Sequence, residues 1–160
     1  MEPFRAVLEL ASSHTLAVIA AVPEGLWDLV PAEGLATLRL QLGHIALVRE
    51  SILRCLAGEP TAGLGAVFET PPWVAGKTRE LSAAFEVHAS RCQALLECIE
   101  WDRLDEPFTT QFGNRSTPRN YLRMLLLEET HHRAQMTLTL RLFGSDPPPY
   151  PGRAWVELGL

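Results

Sequence analysis

Two side chains that can bind a metal ion lie four residues apart in the last third of the sequence, Glu128 and His132. If this segment is helical, the spacing places the carboxylate and the imidazole about one turn apart on the same side of the helix. Both groups are zinc ligands, and a site with three protein ligands keeps an open position for water or substrate. The same spacing also suits a plain ion pair without a metal, so the pair alone leaves both interpretations open.

A third ligand must come from another segment, and His44 is the best placed residue for this role. It lies in the middle of a predicted helix at the edge of its apolar face, so its height matches the middle of a helical bundle. A hydrogen-bonded structural residue is the alternative for any single core-facing histidine. His131 is turned about 100° away from its neighbour His132, and His88 lies in an apolar seam that favours a hydrogen-bonded core histidine.

Two other metal motifs do not fit this sequence. It has no His-Glu-x-x-His zinc-protease motif. The pattern Glu-x-x-His occurs from Glu128 to His131 and from Glu129 to His132. A di-iron bundle, however, needs such a motif from each of two helices together with further glutamates, and no second helix supplies one.

The segment around Glu128 has a polar stripe on one face if it is helical. At about 100° per residue, four further residues fall within about 60° of Glu128: Tyr121, Leu125, Gln135 and Thr139. This pattern predicts that Glu128 and His132 face the core rather than water. Buried polar groups need partners, which a bound ion or another polar side chain would provide.

Four long segments with apolar residues at helical spacing must position these side chains, and Pro/Gly-rich connections separate them. The predicted helices cover about residues 3–21, 35–57, 78–99 and 118–143. Thr117 as N-cap and Pro118 at the first helical position mark the start of the last helix, and Gly144 marks its end. The pattern predicts an all-α four-helix bundle.

The connection between the second and third predicted helices, about residues 58–76, is unusually long. At roughly 3.3 Å per extended residue it can travel back along a whole helix. It therefore favours a long crossover between two parallel helices over a simple up-and-down bundle.

Length and composition predict one globular domain, residues 1–160, and exclude several classes of function. The net charge is −5, and the 14 lysine and arginine residues are scattered rather than clustered, which argues against nucleic acid as a partner. No apolar run approaches the roughly 20 residues that span a bilayer, and the acidic N-terminus does not resemble a secretory signal. We therefore expect a cytoplasmic protein without a membrane partner.

The C-terminal signature of the DinB/YfiT-like family resembles three stretches of this sequence: residues 127–135 (LEETHHRAQ), residues 140–144 (LRLFG) and Pro147-Pro148. The histidine-bearing helix of that family is similar to residues 42–50 (LGHIALVRE). The resemblance covers about residues 40–149, with specific motifs at these two places. By position, the family's three metal-binding histidines fall on His44, Glu128 and His132, so a glutamate replaces the middle one.

The resemblance implies an up-down-down-up four-helix bundle that forms homodimers, and a metal-assisted thiol transfer, isomerisation or hydrolysis. A divalent ion, zinc or nickel, lowers the pKa of a bound water or low-molecular-weight thiol and so makes a nucleophile at neutral pH. We therefore expect a metal-dependent thiol transferase or hydrolase for a small-molecule substrate, with His131 or Gln135 orienting the reactants. The alternative is a non-catalytic ligand-binding or stress-response bundle, in which Glu128 simply pairs with His132 or His44.

Association is a separate prediction. Leu122, Leu126 and Leu140 lie on the side of the predicted last helix that faces away from Glu128. A monomer would leave this second apolar stripe partly exposed, and a homodimer would bury it.

Overall fold

The computed structural model describes residues 2–150 and confirms the predicted all-α four-helix bundle. The helices are α1 (Glu2–Ala20), α2 (Leu38–Leu56), the short α3 (Leu64–Phe68), α4 (Thr78–Leu96) and α5 (Pro118–Leu142). Strands β1 (Phe108–Thr109) and β2 (Arg115–Ser116) form a small antiparallel hairpin before α5, and single 3₁₀ turns occur at Glu24–Leu26 and Trp101–Arg103. Within the described residues, no helix has the length and hydropathy that crossing a membrane requires.

Capping residues explain where two of the long helices begin. The hydroxyl of Thr37 accepts a hydrogen bond from the backbone N–H of Leu40 at 3.2 Å, so α2 begins one residue after it and three residues later than predicted. Thr117 caps α5 in the same way, and Pro118 occupies the first helical position, as predicted. Gly144, with φ of +73°, follows the end of α5 in the left-handed conformation that glycine accepts without strain.

The directions of the four long helices follow from which of their halves share a core. One buried cluster joins the N-terminal halves of α2 and α4 to the C-terminal halves of α1 and α5, with Leu42, Phe85, Val18 and Met136 as members. A second cluster joins the opposite halves, with Leu53, Leu96, Leu8 and Leu125 as members. Helices α2 and α4 therefore run parallel to each other and antiparallel to α1 and α5. This is the expected up-down-down-up order, and residues 57–77 make the long crossover.

A buried ion cluster joins α2 to α5 across the core. The guanidinium of Arg49, whose side chain is 0% exposed, binds both carboxylate oxygens of Glu129 through Nε and Nη2, the latter at 2.7 Å. Arg133 donates to the same carboxylate at 3.0 Å, and Arg49 also donates to the hydroxyl of Ser12 on α1 at 2.7 Å. Burial alone would raise the pKa of Glu129, but the two guanidiniums outweigh it and hold this pKa below its usual range. We call these residues the Arg49–Glu129–Arg133 cluster.

A second buried polar group lies between α2 and α4. The carboxylate of Glu50 accepts hydrogen bonds from Arg54 at 2.8 Å and from Arg91 at 2.9 Å, and it lies 3.3 Å from Nδ1 of His88. These partners outweigh the effect of burial and lower the pKa of Glu50 to about 2. The pKa of His88 is also lowered, in this case by burial, which outweighs the opposing attraction of Glu50. The pair is therefore an ionised carboxylate beside a neutral imidazole.

Acidification should destabilise the fold through His88. The folded state keeps this imidazole neutral, whereas the unfolded chain binds a proton near the ordinary pKa of 6.5, so the unfolded state binds more protons below that pH. We expect the free energy of unfolding to fall as the pH decreases from about 7 to 5, by at most about 1.4 kcal/mol per pH unit from this group. Urea unfolding of chelator-treated protein, unaltered and His88→Gln, measures the contribution.

His14 serves as an internal reference in this experiment. Burial lowers its pKa too, and it contributes equally to the unaltered protein and to His88→Gln. The difference in slope between the two proteins therefore isolates His88, and identical slopes would refute the assignment.

Candidate metal centre

The structure brings His44, Glu128 and His132 together on the outer side of the seam between α2 and α5. Oε2 of Glu128 lies 3.8 Å from Nε2 of His44 and 3.6 Å from Nε2 of His132. One ligand atom from each of the three side chains lies within 4.8 Å of the other two. The convergence that the sequence pattern predicted is therefore present.

The donor set fits a divalent metal ion. In a tetrahedral site with metal–ligand bonds of about 2.0–2.1 Å, neighbouring ligand atoms are about 3.3 Å apart. The separations of 3.6 and 3.8 Å exceed this value by a few tenths of an ångström, a gap that small side-chain rotations close. Two imidazoles and one carboxylate leave the fourth position of such a site for water or substrate.

A hydrogen-bonded chain fixes the orientation of His132. Its Nδ1 donates to Oε1 of Gln135 at 3.0 Å, and Nε2 of Gln135 donates to Nε2 of His131 at 2.9 Å. Since the proton lies on Nδ1, the lone pair of Nε2 points towards Glu128. A hydrogen bond of this kind is what orients metal-binding histidines in other proteins.

Electrostatics favour the form of His132 that can bind a metal. Burial lowers the pKa of this imidazole, and the neighbouring His44 and His131 lower it further, against the opposing effects of Gln135 and Glu128. A lowered pKa keeps the ring neutral, and neutral imidazole is the metal-binding form.

The two residues predicted to orient reactants lie beside the three-residue cluster rather than in it. His131 is exposed and contacts Gln135, and the amide of Gln135 is engaged by the two histidines on either side. The structure thus connects both residues to the site through His132.

The prediction that Glu128 faces the core is wrong, and His132 is partly buried. Their side chains are 43% and 18% exposed, and that of His44 is 47% exposed. Tyr121 and Thr139 of the predicted stripe are buried as expected, but the buried charged residues of α5 are Glu129 and Arg133. The reason is that Arg49 on α2 takes Glu129 as its buried partner, which turns the preceding residue towards the surface.

The apolar stripe that supported a homodimer is also covered by the chain itself. Leu122 and Leu140 are buried in the core, and Leu126 packs against it. These leucines face the other helices of the bundle, so they provide no surface for a second copy. The homodimer stays a prediction that rests on the family resemblance.

An elongated cavity of about 590 Å³ opens at His44 and Glu128 and follows α2 towards its C-terminal end. A second cavity of about 510 Å³ lies on the other side of His44, beside Arg39 and Leu40. The first cavity is a half-open cleft, and two of the three donors, His44 and Glu128, line it. A small molecule bound in this cavity could contact His44 and Glu128 directly.

Sequence reasoning missed the polar residues at the far end of the first cavity. Ser51 lies seven residues after His44 on the same face of α2, a spacing that could have indicated it. Gln111 belongs to the turn of the β1–β2 hairpin, and no periodic pattern places a turn residue against a helix. It donates to the hydroxyl of Ser51 at 2.7 Å.

Comparisons with known proteins agree with this architecture. A DinB-like protein from Bacillus cereus superposes with a TM-score of 0.72 at 18% identity, over 94% of this chain and 97% of that one. A DinB-like protein from Bacillus subtilis, YjoA, superposes with a TM-score of 0.71 at 16% identity, over 92% and 96% of the two chains. At such low sequence identities, the structural similarity shows only that these proteins share a fold with this chain.

YfiT from Bacillus subtilis, described as a probable metal-dependent hydrolase with an unusual four-helix bundle topology, is also similar in structure. Its TM-score is 0.67 at 18% identity, and the match covers 89% of this chain and 87% of YfiT. No curated protein matches the sequence significantly. The sequence pattern of the DinB family matches residues 6–157, nearly the whole length. The chain therefore belongs to the DinB family.

Proposed function

We propose that this protein is a metal-dependent enzyme in which His44, Glu128 and His132 hold a divalent ion, zinc or nickel. The observation that carries the proposal is the convergence of three donor side chains, two of which, His44 and Glu128, line a cavity large enough for a small-molecule substrate. When bound, such an ion lowers the pKa of a water or thiol and supplies a nucleophile at neutral pH.

The protein's own residues prepare the site for this chemistry. Glu128 adds a carboxylate donor to the two imidazoles, and this set of ligand types suits a divalent cation. Gln135 holds the proton of His132 on Nδ1 and thereby keeps Nε2 available. His131 supports Gln135 from the other side, and both act as positioning residues.

Hydrolysis is the reaction class that we favour, with thiol transfer to a low-molecular-weight thiol as the second. The fold is shared with YfiT, which is described as a probable metal-dependent hydrolase. The half-exposed position of Glu128 and His44 gives water direct access to the open side of the site. Water is therefore available as the nucleophile without a further binding site.

A non-catalytic ligand-binding bundle is the alternative, and the same distances support it. Separations of 3.6 and 3.8 Å between the carboxylate and the two imidazoles are within ion-pair range if a histidine is protonated. Elemental analysis of protein purified without chelators separates the two functions. About one zinc or nickel per chain is expected, and metal-free protein would favour the alternative.

Gln135→Leu should weaken metal binding without removing a ligand. Loss of the acceptor for Nδ1 of His132 leaves the ring free to turn, and losing such a supporting partner typically costs about 10- to 100-fold in metal affinity. Competition with a chromophoric chelator measures the zinc affinity. His131→Ala is the matched control on the same helix, with an expected change of less than about 10-fold because the Gln135–His132 bond remains. An unchanged affinity in Gln135→Leu would contradict the positioning role.

The homodimer and the cytoplasmic location stay predictions. If the protein does dimerise, the exposed leucines of α5 offer a different surface from the one first expected. They are Leu127, Leu138 and Leu142.

A further inference from the structure

The wall of the cavity beside the donor residues is mostly apolar, with Ser51, Thr61 and Gln111 as its uncharged polar members. Six of the residues that line it are Leu47, Val48, Ile52, Leu64, Phe112 and Met124. Its volume of about 590 Å³ lies within the range of small-molecule pockets. The body of a ligand held here would be surrounded by hydrocarbon.

The charges of this cavity are confined to one end. His44 and Glu128 stand at its mouth, and none of its lining residues, all within the described part of the chain, is a lysine or an arginine. A carboxylate or phosphate on the ligand would find no counter-ion along the walls and would meet the Glu128 carboxylate at the mouth. Burying an unpaired charge is costly, so anionic ligands are disfavoured.

The cationic side chain on the other side of His44 is already occupied. Arg39 binds the carboxylate of Asp28 at 2.6 and 3.0 Å and the carbonyl of Gly76 at 2.9 Å. Its charge is thus neutralised by its own surroundings. It does not offer an anion a free partner near the site.

Hydrogen-bonded polar groups line the end of the cavity away from His44. Gln111 donates to the hydroxyl of Ser51 at 2.7 Å, and the hydroxyl of Tyr121 donates to Gln111. Ser51 follows His44 by seven residues, which corresponds to roughly 10 Å along the axis of α2. The apolar part of the cavity therefore has a defined length.

We propose that this site selects a neutral, elongated, largely apolar substrate. Its one reactive polar group lies at His44, Glu128 and His132, and its hydrocarbon body extends along α2 to Ser51. The identity of the reactive end rests on the proposed function, whereas binding of the hydrocarbon body depends only on the cavity. Substrates or thiols whose carboxylates or phosphates would lie along the walls, away from the three donors, are disfavoured in this space.

The dependence of affinity on ligand length tests the proposal without any metal. Linear 1-alkanols from butanol to decanol, titrated into chelator-treated protein by calorimetry, should bind about three- to four-fold more tightly for each added methylene. The gain should stop when the chain reaches the roughly 10 Å between His44 and Ser51. Alkanoates of matched length should bind at least about ten-fold more weakly.

Two variants locate the binding to this cavity. Val48→Phe fills the apolar wall and should abolish alkanol binding, while Leu138→Phe, on the exposed face of α5, should leave it unchanged. Ser51→Arg places a cation at the far end and should reverse the preference in favour of the alkanoates. This gain of binding cannot result from misfolding, so it keeps the test decisive if Val48→Phe is unstable.

The outcomes separate this inference from the proposed function. Affinity that does not grow with chain length, or alkanoates that bind the unaltered protein as tightly as alkanols, would overturn the substrate class. Length-dependent alkanol binding in a protein that takes up no metal would support the cavity and count against the metal-dependent reaction.

Discussion

Glu129→Ala is expected to lower the free energy of unfolding by about 3–5 kcal/mol, the usual cost of removing one partner from a buried ion pair. The carboxylate is 1% exposed and is the shared partner of two guanidiniums, of which Arg49 is wholly buried. Without Glu129, two positive charges would remain in the core with no counter-ion. Urea unfolding at neutral pH in the presence of a chelator measures the effect.

Glu128→Ala is the matched control, one residue earlier on the same helix. Its carboxylate is 43% exposed and lies outside the core, so its loss should change the stability of metal-free protein by less than about 1 kcal/mol. Equal effects of the two substitutions would show that the Arg49–Glu129–Arg133 cluster does not carry the stability assigned to it.

Replacing the whole cluster with apolar residues shows whether Glu129→Ala destabilises the protein because it leaves buried charges unpaired, or because the ion pairs themselves are stabilising. Buried ion pairs can often be exchanged for hydrocarbon of similar volume with little or no loss of stability. The triple variant Arg49→Met, Glu129→Leu, Arg133→Met should therefore recover most of what Glu129→Ala loses. The value of the cluster would then lie in fixing the register of α5 against α2, because Glu129 and Arg133 directly follow the metal-site residues Glu128 and His132.

The sequence was sufficient to predict the helices because their signals are local. Apolar spacing repeats within each segment, and caps such as Thr117 and Pro118 act on the backbone N–H groups nearest to them. Parallel α2 and α4 also followed from the length of one connection. The meeting of His44 with Glu128 and His132 could be predicted because a bundle brings the middles of its helices to a common height.

The side chains that face the core could not be fixed in the same way. Glu128 and Glu129 differ by only about 100° around the helix, and both directions lie near the boundary of the apolar face. Which of the two glutamates is buried is determined by the ion pair with Arg49, which is 80 residues away from Glu129 in the sequence. A contact of this kind depends on how two helices pack, so it cannot be predicted from the periodicity of either helix alone.

Helix α3 and strand β2 were missed for a related reason. Helix α3 has five residues and the hairpin strands have two each, too few for a period to be recognised. Yet they supply Leu64 from α3 and Phe112 from the hairpin turn to the cavity beside the metal site. Under the proposed function, substrate selection would depend on the parts of the fold that carry the weakest sequence signal.

Glu128→Gln is expected to weaken zinc binding by more than the roughly 10- to 100-fold that loss of a supporting residue costs, and His44→Ala should do the same. The amide keeps the shape of the side chain but removes its negative charge, and with it the anionic donor of the site. Glu128→His should instead bind zinc within about ten-fold of the unaltered protein, since imidazole is an equally suitable ligand at the same helical position.

Competition with a chromophoric chelator gives the affinities, and the visible spectrum of the cobalt-loaded protein reports the ligands directly. Glu86→Gln, an exposed substitution on α4, controls for the change in net charge. Since His44 and His132 are unaltered in Glu128→Gln, any loss there belongs to the carboxylate alone. If Glu128→Gln binds zinc as tightly as the unaltered protein, the carboxylate is not a ligand, and the proposed three-donor site is refuted.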